Sequence, residues 1–81
     1  LADTLGWVLI KANKYDEARR MLAHAVDKLP DNPTVRFHYA LALARAGDTS
    51  EARQNLQAVL AGNRAFDKRA EALQLAKELG I

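Results

Sequence analysis

Few side chains in this sequence could carry reaction chemistry. His24 and His38 fall on different predicted helices, and neither has a cysteine or carboxylate companion at metal-ligand spacing. No metal site is expected. Ser50 is the only serine, and it stands at a helix start, where capping explains a hydroxyl. There is no glycine-rich phosphate loop and no carboxylate pair in an evident pocket. The chain therefore reads as a non-enzyme, with no catalytic residue and no cofactor.

Charge narrows the partners. Twelve basic residues face ten acidic ones, and a net charge of +2 is too even to argue for nucleic acid or an anionic membrane. Arg19, Arg20, Arg53, Arg64, Lys68 and Arg69 read as a solvated convex face. No apolar run approaches the ~20 residues that span a bilayer, so this segment is not expected to insert into a membrane. The absence of cysteine excludes disulfides and thiolate metal sites but leaves the compartment open. The chain opens on Leu1 without a leader pattern, and the expectation is a piece of a longer protein.

Binding chemistry is what remains. Trp7 is the only tryptophan, and tryptophan is enriched at binding hot spots. The competing reading is that it packs against an upstream helix or a neighbouring chain. Phe37 and Tyr39 stand two apart and cannot share one helix face. Tyr39 is assigned to the core, and Phe37 to the groove or surface.

The elements that position these residues are all helical. Apolar residues recur at helical intervals: Leu5, Val8, Leu9 and Ala12; Ala18, Met21, Leu22, Ala25 and Val26; Val35, Tyr39, Ala42, Leu43 and Ala46; Ala52, Leu56, Val59 and Leu60; Ala70, Leu73, Ala76 and Leu79. Helices are predicted over 3–13, 16–28, 33–46, 49–61 and 66–79. The breaks between them carry their own chemistry. Asn13-Lys14 follows the first helix. Pro30 disfavours helix at Leu29, and Pro33 suits the first turn after an Asn32 cap. Gly47 supplies a left-handed stop, and Asp48 caps the next helix with Glu51 reaching back to its free amides. Gly62-Asn63 and Gly80 end the last two helices. Connections this short force neighbouring helices to run antiparallel.

The decisive signal is a repeat. Ala18 and Ala52 stand 34 residues apart, and so do Gly6 and Ala40, Leu9 and Leu43, Asn13 and Gly47, Glu17 and Glu51, Leu22 and Leu56, and Ala25 and Val59. A helix-turn-helix unit with this period is a signature of stacked repeat architectures. Leu5-Gly6 and Leu9, Tyr15-Asp16-Glu17-Ala18, Leu22, Ala25 and Pro30 resemble one unit of the tetratricopeptide-repeat (TPR) family. Tyr39-Ala40, Leu43, Gly47-Asp48, Glu51-Ala52, Leu56 and Val59 resemble a second. The departures are Asn13 for the turn glycine and Arg64 for the terminal proline. The resemblance implies an all-α fold, a right-handed α-α superhelix with repeats at 1–31 (its first helix clipped) and 32–63, closed by a capping helix in 64–81. On that last helix Lys68, Arg69, Glu71, Lys77 and Glu78 are expected toward solvent. Gly6, Ala40, Ala18 and Ala52 would be small because paired helices cross closely there, and hairpins of this kind stack to bury their apolar faces.

The resemblance also implies a site. In such solenoids the first helices line a concave groove where ligands lie. The matching positions are Asp3, Trp7, Ile10 and Lys11, then Thr34, Phe37, His38, Leu41 and Arg45, then Glu71 and Leu75. This mixed apolar and basic groove suits an extended peptide with an apolar anchor and an acidic group, held between Lys11 and Arg45. Solvated surface charge is the plainer reading of those two cations. His38 is a candidate hydrogen-bonding group within the groove. Some family members clamp a peptide carboxy terminus with lysine and asparagine, but those positions here are Asp3 and Trp7. The implied partner is a protein or peptide. Alternatively the units only end a longer solenoid, or self-associate into a homo-oligomer through an exposed N-terminal face. A narrower likeness, carried by Asp3 to Trp7, Phe37 to Ala40, Gly47-Asp48 and Ala65-Phe66, is to bacterial multi-TPR proteins such as exosortase-associated (PEP-CTERM system) lipoproteins. It implies a periplasmic or envelope parent concerned with polysaccharide export.

Overall fold

The structure is a computed structural model and describes residues 2–62 and 66–81. It contains α1 (Ala2–Lys11), α2 (Tyr15–Lys28), α3 (Pro33–Arg45), α4 (Thr49–Ala61) and α5 (Arg69–Leu79). Each helix packs on the one before it, and α3 also touches α1. Among the described residues the only regular structure is helix.

The two hairpin turns are the same device 34 residues apart. Asn13 takes φ +62° and Gly47 φ +93°. Around Asn13, its own N–H donates to the Ile10 carbonyl at 2.9 Å, and the Lys14 N–H donates to Leu9 at 2.8 Å. Around Gly47, the equivalent bonds run to Ala44 at 3.2 Å and from Asp48 to Leu43 at 2.8 Å. This paired pattern satisfies helix-end carbonyls and needs a left-handed residue at its pivot. Starts are capped as the sequence implies. The Asn32 side chain accepts from the Thr34 and Val35 amides, with Pro33 in the first turn, and Asp48 accepts from the Glu51 amide.

Glu51 departs from expectation. Its carboxylate does not reach back to the cap but accepts a hydrogen bond from the Tyr39 hydroxyl at 2.8 Å. Burial first, then this bond and the charge of Glu51, push the Tyr39 phenol up to about 12. The last helix also begins late, at Arg69 instead of 66, because Phe66 forms a turn whose carbonyl accepts from the Arg69 amide. The side chain of Phe66 packs on the core. Gly62 ends α4, while Asn63, Arg64 and Ala65 lie outside the described residues.

Close approach of backbones holds the hairpins together. Ala18, Ala40 and Ala52 are completely buried. A Cβ placed on Gly6 would lie 2.5 Å from Leu22 Cγ, far inside van der Waals contact, so α1 and α2 meet with no room for a methyl group. Leu22, Leu43 and Leu56 fill the space around these crossings.

α3 is the central rod. Val35, Phe37, His38, Ala40, Ala42 and Leu43 are all buried, and they point in every direction around the helix. Both aromatics pack on the core, although the sequence placed only Tyr39 there. Phe37 is buried against Leu56, Ala72, Leu75 and Ala76, whereas Tyr39 is half-buried. The helix is enclosed by α2 and α4 on one side and α5 on another, so a residue two positions from a core residue is not thereby exposed. At the other edge, Val8 is 55% and Leu5 44% exposed, although Ala42, the counterpart of Val8, is completely buried with Ala18 and Leu22 of α2. No described helix covers α1 in the way α2 covers α3.

Candidate peptide-binding groove

α1, α3 and α5 are the first-type helices, and their side chains meet across the stack at separations close to one repeat. His38 Nδ1 lies 2.8 Å from Asp3 Oδ1, 35 residues away. Arg45 Nη1 lies 3.3 Å from Glu78 Oε2, 33 residues away. His38 is buried, and its ring lies 4.7 Å from Trp7 at 21°, a stacked contact. Phe37 flanks it at 5.8 Å. Nε2 of the His38 ring is buried and has no hydrogen-bond partner among the described residues. A buried polar atom left without a partner costs about 1–3 kcal/mol, so the stack and the Asp3 bond must together outweigh it.

Two ammonium groups lie over the same indole. Lys11 Nζ, from the last turn of α1, is 5.2 Å from the Trp7 ring centre. Lys68 Nζ, from the residue before α5, is 5.7 Å from it. Beside this cluster α3 and α5 enclose an open cavity of about 230 Å³, lined by Phe37, Leu41, Arg45, Glu71, Gln74, Leu75 and Glu78. Its floor is apolar and its rim is charged. A larger hollow of about 630 Å³ lies at the opposite ends of the helices, beside Pro30, Pro33 and Val59. The Arg36 guanidinium there is spent on the Pro30 carbonyl and Asn55, and Gly62 is the last described residue on that wall. The smaller cavity is the better candidate, because charged and apolar groups are both presented at its rim.

The structure divides the expected groove residues into two sets. Trp7 and Leu41 are half-buried, and Lys11 and Arg45 are exposed, so all four present surface. Ile10, Phe37, His38 and Leu75 are buried, and of these Phe37 and Leu75 line the cavity. Ile10 packs with Ala18 and Leu22, while Phe37 and Leu75 pack with Leu56, because the stacked helices interlock there. Thr34 is half-buried at the start of α3. Of the two cations expected to share a carboxylate, Lys11 lies over Trp7 and Arg45 pairs with Glu78. The cation that shares Trp7 with Lys11 is Lys68, which the sequence assigned to open solvent. Of the other residues expected in solvent, Arg69, Glu71, Lys77 and Glu78 are exposed.

Sequence reading missed the Asp3–His38 bond and the Arg45–Glu78 pair. The signal for both was the repeat itself. First helices lie side by side, so residues about one period apart become neighbours.

A family model described as tetratricopeptide repeat matches residues 9–77. No curated protein and no solved structure matches the chain.

Proposed function

Because the chain belongs to the tetratricopeptide-repeat family, a class that generally serves protein–protein interaction, we propose that it is a non-catalytic module binding a peptide segment along α1, α3 and α5. The observation that carries this reading is the cavity between α3 and α5, with an apolar floor of Phe37, Leu41 and Leu75 beside the half-buried Trp7. A peptide side chain seated there would cover Leu41 and meet the Arg45–Glu78 rim. Peptides selected from a random library should lose at least about tenfold in affinity on Leu41→Arg, a loss of ~1.4 kcal/mol. They should be indifferent to Val8→Arg on the far edge. Selected peptides that tolerate Leu41→Arg at full helicity overturn the assignment.

A second reading rests on the exposed Leu5 and Val8. Their counterparts Tyr39 and Ala42 are covered by α2, so this edge has the shape to receive another second-type helix, from an upstream repeat or another copy. Under that reading the units end a longer solenoid or self-associate, and light scattering decides. A strict monomer at millimolar concentration removes self-association, and loss of dimer on Val8→Arg supports it. For the parent protein we propose an envelope role in polysaccharide export, on the narrower sequence likeness alone. Fractionation of the tagged parent into the cytosol overturns it.

A further inference from the structure

We infer that Lys68 is a strap across the groove: backed by Glu71 and laid over the Trp7 indole, it ties α5 to α1 in the free chain, and a bound peptide must lift it. The inference rests on the groove reading above and adds the regulation of that site.

The geometry links three side chains in series. Lys68 Nζ lies 3.7 Å from Glu71 Oε2 and 5.7 Å from the centre of the Trp7 ring. Glu71 also lines the cavity between α3 and α5. The ammonium thus bridges the cavity rim and the indole, the two surfaces that one peptide would cover together. The indole is held in place, because His38 of α3 stacks on it at 4.7 Å and is itself bonded to Asp3. One end of the strap is fixed on α1 and α3, while the other rides on α5.

Lys68 stands there against its local preference. It is the N-cap residue of α5, a position that favours Ser, Thr, Asp and Asn for the bond they supply, yet it makes no side-chain capping bond. A cation at the positive end of a helix is also unfavourable. The pair with Glu71 is an i,i+3 contact complete within the start of α5, so it accounts for the ion pair but not for the approach to Trp7. Lys11 lies over the same ring at 5.2 Å, but it is the i,i+4 neighbour of Trp7 on α1 and crosses nothing. A cation over an exposed aromatic face is held weakly. That strength covers the indole in the free chain and yields to an apolar side chain that reaches both Trp7 and Leu41.

The free chain tests this without a ligand, since Trp7 is the only tryptophan and reports its own cover. Lys68→Ser removes the strap and supplies a cap, so acrylamide quenching of Trp7 should increase while Tm holds or rises. Lys68→Arg keeps the cation and should quench as the parent does. So should Lys77→Ala, which removes another exposed lysine of α5. Peptides selected from a random library against the parent should bind Lys68→Ser about two- to fivefold tighter, because a contact of this strength no longer competes. Unchanged quenching in Lys68→Ser overturns the strap whether or not peptides bind. A Tm lowered in step with the quenching makes Lys68 a structural tie and overturns it as well. Increased quenching with equal or weaker peptide binding refutes the competition between strap and peptide. Peptides that lose affinity on Leu41→Arg but ignore Lys68→Ser end the strap and leave the groove standing. A library that yields no peptide dependent on Leu41 defeats both readings.

Discussion

Replacing Gly6 with alanine tests the packing on which the stack depends. On an open helix this substitution stabilises, because alanine exceeds glycine by about 0.8–1.0 kcal/mol in helix propensity. Here the added methyl would sit 2.5, 2.7 and 3.0 Å from the three outer carbons of Leu22. Leu22 is completely buried, so it cannot move aside into solvent. Overpacking of this kind costs about 1–3 kcal/mol, so the steric term should win by up to ~2 kcal/mol over the propensity gain. For a domain of this size a loss of 1 kcal/mol lowers Tm by about 4–8 °C. The assay is thermal and urea unfolding of Gly6→Ala alone and with Leu22→Ala. The double variant makes room for the methyl, so in the Leu22→Ala background Gly6→Ala should stabilise by about 1 kcal/mol, the propensity term alone. If Gly6→Ala stabilises the parent by that amount, α1 and α2 do not approach as described.

Three further outcomes follow from particular residues. Ala52→Glu should unfold the chain or cost several kcal/mol, because it puts a carboxylate at a position with no solvent exposure; circular dichroism at room temperature reads this, and a Tm near the parent's contradicts it. Asn13→Ala should cost about 1–2 kcal/mol, since alanine is strained at φ +62°, while Asn13→Gly should be tolerated; equal Tm values for the two remove the left-handed turn from the account. Tyr39 carries an alkaline signature. Its folded pKa is raised from 10.0 to about 12, so its contribution to stability is complete below pH ~10 and is lost as pH rises toward ~12. Tyr39→Phe should remove that part of the alkaline slope, and an unchanged slope between pH 10 and 12 refutes the raised pKa that burial and the Glu51 contact together produce.

Much of this architecture was legible because it is local or periodic. The turns at Asn13 and Gly47, the Asn32 cap and the small residues at Gly6, Ala18, Ala40 and Ala52 follow from residue type and the 34-residue offset. What escaped depends on contacts between elements. Face logic put only one of Phe37 and Tyr39 in the core because it assumes one wet side, and α3 is enclosed from several directions. Glu51 was expected at its own helix start, but the hydroxyl of Tyr39 reached it first. The start of α5 was placed three residues early because Phe66 looks like a helical core residue and instead packs from a turn. Lys68 looked like one of many surface cations until the stack brought it to Trp7. The groove was therefore readable as a row of positions, while its charge arrangement was not.

The enclosure of α3 has a consequence for how the chain comes apart. Every other helix leans on this rod, so fraying can start at α1 or α5 but cannot start in the middle. Amide exchange should accordingly be slowest in the stretch around Ala40–Leu43, with protection decaying toward both termini. A protease would trim the ends long before it could cut the rod, and whatever survives digestion should contain α3 intact.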